Sequence, residues 1–416
     1  MKVWILQTGE PLQIDSNGLR PMRAMNLSQA LIDKGHHVTL WSSDFDHFSK
    51  QHRFGSEKTI EVSAQLTIRL IKSRGYRSNI GISRLIDHFQ LGWNLWRMLK
   101  KEKAPDLGFV GYPPIEPAWI MINFLKKHSK PSVLDVKDAW PDVLVRGFPH
   151  GMRSLARFML NPYFMVMKST FKKSSYLSSI SPPFLEWSVR IANRSPRSLD
   201  KVNYLSVFPL QHEKLERTTA EKFWDSLGIL EDNVLRCSYI GSITGALNFE
   251  RVIEAAKKQD VQFVIAGTGP ALSQIQKSTE GMQNIVFPGW LTSAQAAILA
   301  QRSTFLLAPY ADLEDFSLSL PNKFLDAMAH GKPMLSSISG FPENFIEENS
   351  IGFYYSNLVP DSLTELIGRL ARDRQNLLVI GQNANNLFNR QFSGEIVYGD
   401  MVRTLEEIVE QCQAKF

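Results

Sequence analysis

Short apolar runs alternate with amphipathic helical stretches along almost the whole chain, and that alternation leaves few folds open. Residues 3–6 read as a buried strand, 21–34 as a helix stopped by Gly35, and 37–41 as the next strand. Strands at 66–71, 107–110, 133–136 and 176–180 follow, with helices over 83–103, 116–127 and 183–192 and a longer basic, apolar stretch at 153–173. A second series sets strands at 234–240, 262–266, 285–287, 304–307 and 334–337 among helices at 249–258 and 293–300, before a largely helical tail over 361–412. Strands separated by helices pair in parallel, and the helices cover both faces of the sheet. The prediction is α/β, with two open sheets in tandem, and 416 residues are too many for one ordinary core.

Hydrophobic residues at 44% and charged residues at 21% fit a soluble globular protein. No apolar run approaches the roughly 18 residues of a membrane helix, and the first residues read as a buried strand rather than a secretion signal. Cys237 and Cys412 cannot make a disulfide scaffold, so the cytoplasm is the expected compartment. The net charge of +6 conceals a lopsided distribution: residues 1–205 carry +14 and residues 206–416 carry −8. Residues 143–185 contain no acid but hold Arg146, Arg153, Arg157, Lys168, Lys172 and Lys173; residues 62–86 are likewise acid-free. Such a field attracts phosphate-rich partners: nucleic acid, anionic headgroups or a lipid-linked diphosphate.

Residues 319–333 read as a short helix whose first turn can hold an anion. Pro321 suits the first helical position, Gly331 a left-handed stop and Pro333 the exit. Asn322 and Lys323 would stand at the positive end of the dipole, with Asp326 roughly 6 Å along the same face. On spacing alone an ordinary amphipathic helix reads the same way. Upstream, three glycine-bearing loops follow successive strands: Gly241-Ser242-Ile243-Thr244-Gly245, Gly267-Thr268-Gly269-Pro270 and Pro288-Gly289-Trp290. Glycine admits a ligand close to the backbone, and Ser or Thr hydroxyls bond phosphate oxygens.

With these motifs the chain resembles the nucleotide-sugar glycosyltransferases with two Rossmann-like domains facing a cleft, the GT-B fold, and in particular the retaining family four. Tyr239-Ile240-Gly241-Ser242 looks like the start of the donor domain, and the run ending Gly267-Thr268-Gly269-Pro270 like its GxGP loop. Asn284 to Gly289 looks like the strand that lies against the base, with Phe287 on it. Pro321-Asn322-Lys323 through Pro333 resembles the donor signature of a branch that builds bacterial surface polysaccharides. The resemblance implies an acceptor-side domain at 1–207, a donor domain at 208–392, and a C-terminal helix at 393–416 packing back toward the first. It implies that Gly241, Ser242, Thr244, Gly267, Gly269, Phe287 and Pro321 line the donor, that Asn322 and Lys323 hold its diphosphate, and that Asp326 binds the ribose. Lys323 would also be catalytic by stabilising the departing diphosphate, so no metal or other cofactor is expected beside the UDP- or GDP-type sugar. Asp44-Phe45-Asp46 imitates a metal-binding DxD but reads as a polar loop.

In the first domain the resemblance places Gly18 and Arg20 near the diphosphate and makes Asp138, before Trp140-Pro141, a second catalytic candidate. Arg74, Asn79, Arg84 and His47 suit an acceptor. The pattern also departs from the family: Leu318 stands where many members carry a glutamate, Glu314 lies four residues earlier, and Ser242 and Leu247 occupy the places of an arginine and a lysine. Phe158, Met159, Leu160, Tyr163, Phe164, Met165 and Met167 lie among basic residues and suggest contact with the anionic inner membrane surface; a buried helix is the alternative. The implied function is retaining transfer of a sugar to a lipid-linked saccharide acceptor in polysaccharide or lipopolysaccharide biosynthesis, at the inner face of the membrane and without nucleic acid. An inverting transferase, a nucleotide-sugar epimerase and a non-catalytic binder of anionic surfaces stay open.

Overall fold

A computed structural model of the chain describes residues 1–15, 20–78, 81–208, 212–314 and 316–414. It divides into two compact units, Met1–Tyr204 with the segment from Val397 on, and Leu205–Ile396.

The strands of the first unit are β1 (Lys2–Leu6), β2 (His37–Ser43), β3 (Phe45–Asp46), β4 (Gln51–His52), β5 (Lys58–Glu61), β6 (Leu66–Ile71), β7 (Leu107–Tyr112), β8 (Ser132–Val136), β9 (Tyr176–Ser179) and β10 (Lys201–Val202). Eight of them form one sheet in the order β10-β9-β8-β7-β1-β2-β6-β5. All pairs are parallel except β5 with β6. Its helices are α1 (Arg23–Asp33), α2 (Ile82–Leu99), α3 (Ile115–Lys127), α4 (Asp142–Arg146), α5 (Arg153–Met159), α6 (Asn161–Lys173) and α7 (Pro182–Ala192). Side chains alternate across the sheet, so β1 sends Val3 and Ile5 into one core and Trp4 and Leu6 into the other. The first core is closed by α1 and by the C-terminal helix, whose Tyr398, Met401, Leu405 and Ile408 join Leu27 and Leu31. Helices α2, α3, α6 and α7 close the second. The stretch at 153–173 is two helices rather than one, because Pro162 in the first turn of α6 has no N–H to continue the preceding turn.

The second unit has helices α8 (Lys214–Ser226), α9 (Glu250–Lys258), α10 (Leu272–Ser278), α11 (Ser293–Arg302), α12 (Asn322–Ala329), α13 (Phe341–Asn349), α14 (Ser362–Leu370) and α15 (Arg374–Leu387), and α16 (Gly394–Gln413) begins in it. Its strands are β11 (Arg236–Ile240), β12 (Gln262–Ala266), β13 (Ile285–Val286), β14 (Phe305–Ala308), β15 (Met334–Ser336) and β16 (Gly352–Tyr354). They are parallel in the order β13-β12-β11-β14-β15-β16. Chain order reverses between β11 and β14, and in the first unit between β1 and β7. In open α/β sheets such reversals open a crevice at the strand C-termini.

Candidate functional site

The reversal in the second unit gathers the glycine loops and α12. Gly241 N donates to Ala266 O at 2.9 Å, Ile243 N to Thr268 O at 2.8 Å, and Gly267 N to Gly289 O at 2.7 Å, so the three loops are bonded in series. They stack too closely for side chains: a Cβ on Gly267 would lie 1.8 Å from Gly241 O, and one on Gly269 2.1 Å from Ile243 O. On the other side of the reversal, Asn248 N donates to Pro309 O and Ala311 N to Ala246 O, tying the first loop to the segment after β14.

Helix α12 begins at Asn322, with Pro321 as its cap at φ −62°, ψ 157°. That corrects the expected first helical position for Pro321: its extended ψ keeps it outside the helix. The glycine stop is as expected, Gly331 standing at φ +60°. Phe324, Leu325, Ala327 and Met328 bury one side of the helix and leave Lys323 and Asp326 on the other, Nζ to Oδ2 4.0 Å. Lys323 folds back over the first loop, where a Cβ on Gly241 would meet its Nζ at 2.6 Å. The ammonium also stands 5.6 Å from the centroid of the Tyr239 ring, whose hydroxyl donates to Ser242 O at 2.8 Å. Burial first and the Asp326 carboxylate second push Tyr310 up to about 12. A cation, a helix N-terminus and close-packed glycine loops thus converge on one crevice, an arrangement suited to a polyanion.

Of the other expected donor residues, Asn322 is half-buried in the first turn of α12, Ser242 is exposed, and Thr244 Oγ1 accepts from Ala246 N at 3.3 Å within its own loop. Phe287 packs against the core beneath β11 and β12. Tyr239 entered the sequence reading only within the segment resembling the start of the donor domain, with no role of its own, and Tyr310 did not enter it. Tyr239 was visible as an aromatic one residue short of a glycine loop, but nothing local showed that Lys323 would cover it.

The first unit has its own crevice, a cavity of about 270 Å³ beyond the ends of β1, β2, β7 and β8. It brings together the predicted His47, Arg84 and Asp138, and adds Lys137, Tyr76 and His88, which the sequence reading did not single out. Lys137 Nζ donates to Glu10 and, at 2.9 Å, to Gln7 Oε1, while Glu10 Oε2 accepts from Ala24 N at 2.8 Å in the first turn of α1. Arg84 lies 5.4 Å over the Tyr76 ring and 5.2 Å over that of Trp140. His47 Nδ1 is 2.7 Å from the Tyr76 hydroxyl. Burial, helped by neighbouring cations, lowers His47 to about 4 and His88 to about 3, so both are neutral at pH 7. Burial also raises the Asp138 carboxyl, against the pull of Arg84. Arg74 is not in the cavity wall: it is exposed, and its carbonyl faces His52 Nε2 at 3.2 Å. Arg20 is exposed ahead of α1, and Gly18 and Asn79 lie outside the described residues. Asp44 accepts from Phe54 N and Gly55 N, and Asp46 from Phe48 N and Ser49 N, as a polar loop requires.

In the wall of the space between α2 and α3, Glu116 of α3 accepts from the Tyr163 hydroxyl at 3.0 Å, while its Oε2 is buried without a hydrogen bond. Burial, with a smaller push from Asp87, raises it from 4.5 to about 7. The folded protein then holds a proton that the unfolded chain releases near pH 4.5, so this group's stabilisation is complete below that pH and is lost as pH rises through about 7. His47 and His88 act in the opposite sense, so the difference between variants isolates the carboxyl. Relative to wild type, Glu116→Gln should gain roughly 3 kcal/mol between pH 4.5 and 7.5 and nothing more above, as read from urea unfolding across that range. A pH-independent difference contradicts the assignment.

Residues 237–373 match the family described as Glycosyl transferases group 1. No curated protein matches the chain in sequence. Among solved structures, sucrose-phosphate synthase from Thermosynechococcus elongatus is similar at TM-score 0.73 and 14% identity, covering 99% of both chains. Anabaena HepE in complex with UDP and glucose is similar at TM-score 0.65 and 13% identity, over 98% of this chain and all of the other. WaaG, a glycosyltransferase involved in lipopolysaccharide biosynthesis, gives 0.62 and 13%, over 96% and 98%. The chain therefore has the α/β fold of the glycosyltransferases with two Rossmann-like domains, and its second unit carries a Glycosyl transferases group 1 domain, which makes it an enzyme of the sugar-transferring class.

Proposed function

We propose that the chain transfers a sugar, with retention, from a UDP- or GDP-type nucleotide sugar to a lipid-linked saccharide acceptor in the synthesis of a bacterial surface polysaccharide. The observation that carries the reading is the Lys323 ammonium folded over Gly241 at the reversal of the second sheet, with Asp326 beside it. The diphosphate lies at the start of α12, and Asp326 takes the ribose hydroxyls. As the bond from the anomeric carbon to the diphosphate breaks, negative charge grows on the leaving oxygen, where Lys323 and the helix dipole stabilise it. The acceptor hydroxyl bonds to the same carbon from the same face and gives its proton to the leaving diphosphate. His47, Arg84 and Asp138 in the cavity of the first unit bind and orient the acceptor saccharide. The excess of basic charge in the first half suits a phosphate-bearing lipid carrier and a peripheral place on the cytoplasmic face of the membrane. Structural similarity to WaaG and to UDP-bound HepE supports this reading.

The test is incubation of the protein with radiolabelled UDP- and GDP-sugars and a lipid-linked saccharide acceptor. Transfer with one donor, its nucleoside diphosphate also raising the melting temperature, is the expected result. Absence of transfer with every donor overturns the proposal, an altered sugar formed without acceptor points to an epimerase, and an inverted anomeric centre overturns retention.

A further inference from the structure

Helix α2 carries an apolar stripe that its own unit leaves uncovered. Ile82, Ile86, Phe89, Trp93 and Trp96 recur every three or four residues and are 75, 45, 68, 54 and 39% exposed. That spacing is one face of a helix, and the buried face is a different one, formed by Leu91, Leu95 and Leu99. Scattered exposed apolar residues need no explanation, whereas five in register along one helix do. Between α2 and α3 an open groove of about 1000 Å³ runs past Trp93 and Trp96 on one side and Trp119, Ile120 and Phe124 on the other.

The charge at one end of this groove identifies what covers it. The C-terminal ends of α2 and α3 hold Arg97, Lys100, Lys101, Lys103, Lys126 and Lys127. Of the acids nearby, Glu102 pairs with Arg69 at 2.5 Å, Asp106 lies 3.8 Å from Lys130 and Glu57 3.7 Å from Arg97, while Glu116 in the groove wall accepts from the Tyr163 hydroxyl. Lys100 Nζ rests 3.4 Å from the centroid of the Trp96 ring, keeping its stem on the apolar surface and its charge at the edge. Aromatic rings with a cationic rim fit the boundary between lipid headgroups and acyl chains. A second copy of the chain would instead set one basic rim against another. The seven-residue apolar set expected at 158–167 is divided: Phe158, Met159 and Met165 are exposed, while Phe164 and Met167 enter the core.

We propose that the exposed stripe of α2 docks on an anionic lipid bilayer, its aromatic side chains entering the headgroup–acyl boundary, a lipid chain occupying the groove, and the basic helix ends meeting the phosphates. The inference rests on the lipid-linked acceptor proposed above and names the element that meets the membrane.

The experiment is co-sedimentation of the full chain with vesicles of phosphatidylglycerol and phosphatidylcholine in equal parts, against vesicles of phosphatidylcholine alone. The protein should sediment with the first and stay in solution with the second. Phe89→Ala/Trp93→Ala/Trp96→Ala should weaken binding roughly tenfold or more, and Lys100→Glu/Lys127→Glu should do the same, with melting unchanged because all five side chains are at the surface. Undiminished binding by the triple variant overturns the role of α2, equal binding to neutral vesicles overturns the role of the basic rim, and a dimer lost in the triple variant without vesicle binding makes a second copy the occupant instead. The melting shift with UDP or GDP reads the donor site separately: loss of vesicle binding with that shift intact sinks the docking surface alone, and vesicle binding without a shift for any nucleotide sinks the functional reading alone.

Discussion

Lys323→Ala should lower kcat by about 10²–10³-fold, the cost of removing one charge stabiliser from a transition state, and should weaken nucleoside diphosphate binding. The ammonium lies over Gly241 rather than in solvent, so water replaces it poorly at the leaving oxygen. The fold should survive: the side chain keeps 18% of its surface exposed and belongs to none of the hydrophobic cores, which puts the stability change within about 1 kcal/mol. Lys323→Met separates the two contributions, since it keeps the stem on Tyr239 and removes the charge; it should lose turnover as Ala does. Lys323→Arg should rescue little, because the planar guanidinium needs more room than a site where Gly241 already excludes a Cβ. Asp326→Asn should raise KM with a smaller change in kcat, as expected of a group that holds the ribose equally in the ground and transition states. Steady-state kinetics with the donor that shifts the melting temperature decide this, and an unchanged kcat in Lys323→Ala removes Lys323 from the chemistry.

Much of the architecture is legible in the sequence because strand and helix periods are local. The apolar runs at 262–266 and 107–110 lie in β12 and β7, and the stop at Gly331 follows from its backbone freedom. What local pattern cannot carry is proximity between distant segments. Lys323 meets Gly241 only because the sheet order reverses between β11 and β14, and Lys137 meets Glu10 only because it reverses between β1 and β7. Helix α8 escapes the periodicity reading, and its capping box gives no help because Glu213 stands at the cap where the sequence signature has Ser, Thr, Asp or Asn. The antiparallel strand β5 escapes it because Lys58–Glu61 is almost wholly exposed and has no apolar face to betray it. Helix α2 is legible as a helix, but it has two apolar faces, and periodicity alone does not say which of them the core takes.

Gly267→Ala should lower the melting temperature of the second unit by roughly 6–12 °C, the equivalent of about 3 kcal/mol in a unit of this size. Two costs combine. The residue sits at φ +134°, a conformation that L side chains rarely adopt, and its new methyl would lie 1.8 Å from Gly241 O and 2.8 Å from Gly241 C. A flexible side chain could turn away from such a clash, but these are backbone atoms, and Gly241 is held by its own bond to Ala266 O. The first two loops must therefore part, and the first is the one that Lys323 covers. Gly245→Ala is the control: apart from its own residue and its two chain neighbours no atom lies within 4 Å of the position its Cβ would take, and its φ is not in the positive range, so melting and nucleotide affinity should both stay at wild-type values. If Gly267→Ala melts like wild type, the close stacking of the loops is wrong, and with it the crevice. If it melts lower and also loses the nucleotide shift while Lys323 is intact, the loops place the diphosphate and the lysine alone does not, because the charge is still present and only the backbone beneath it has moved.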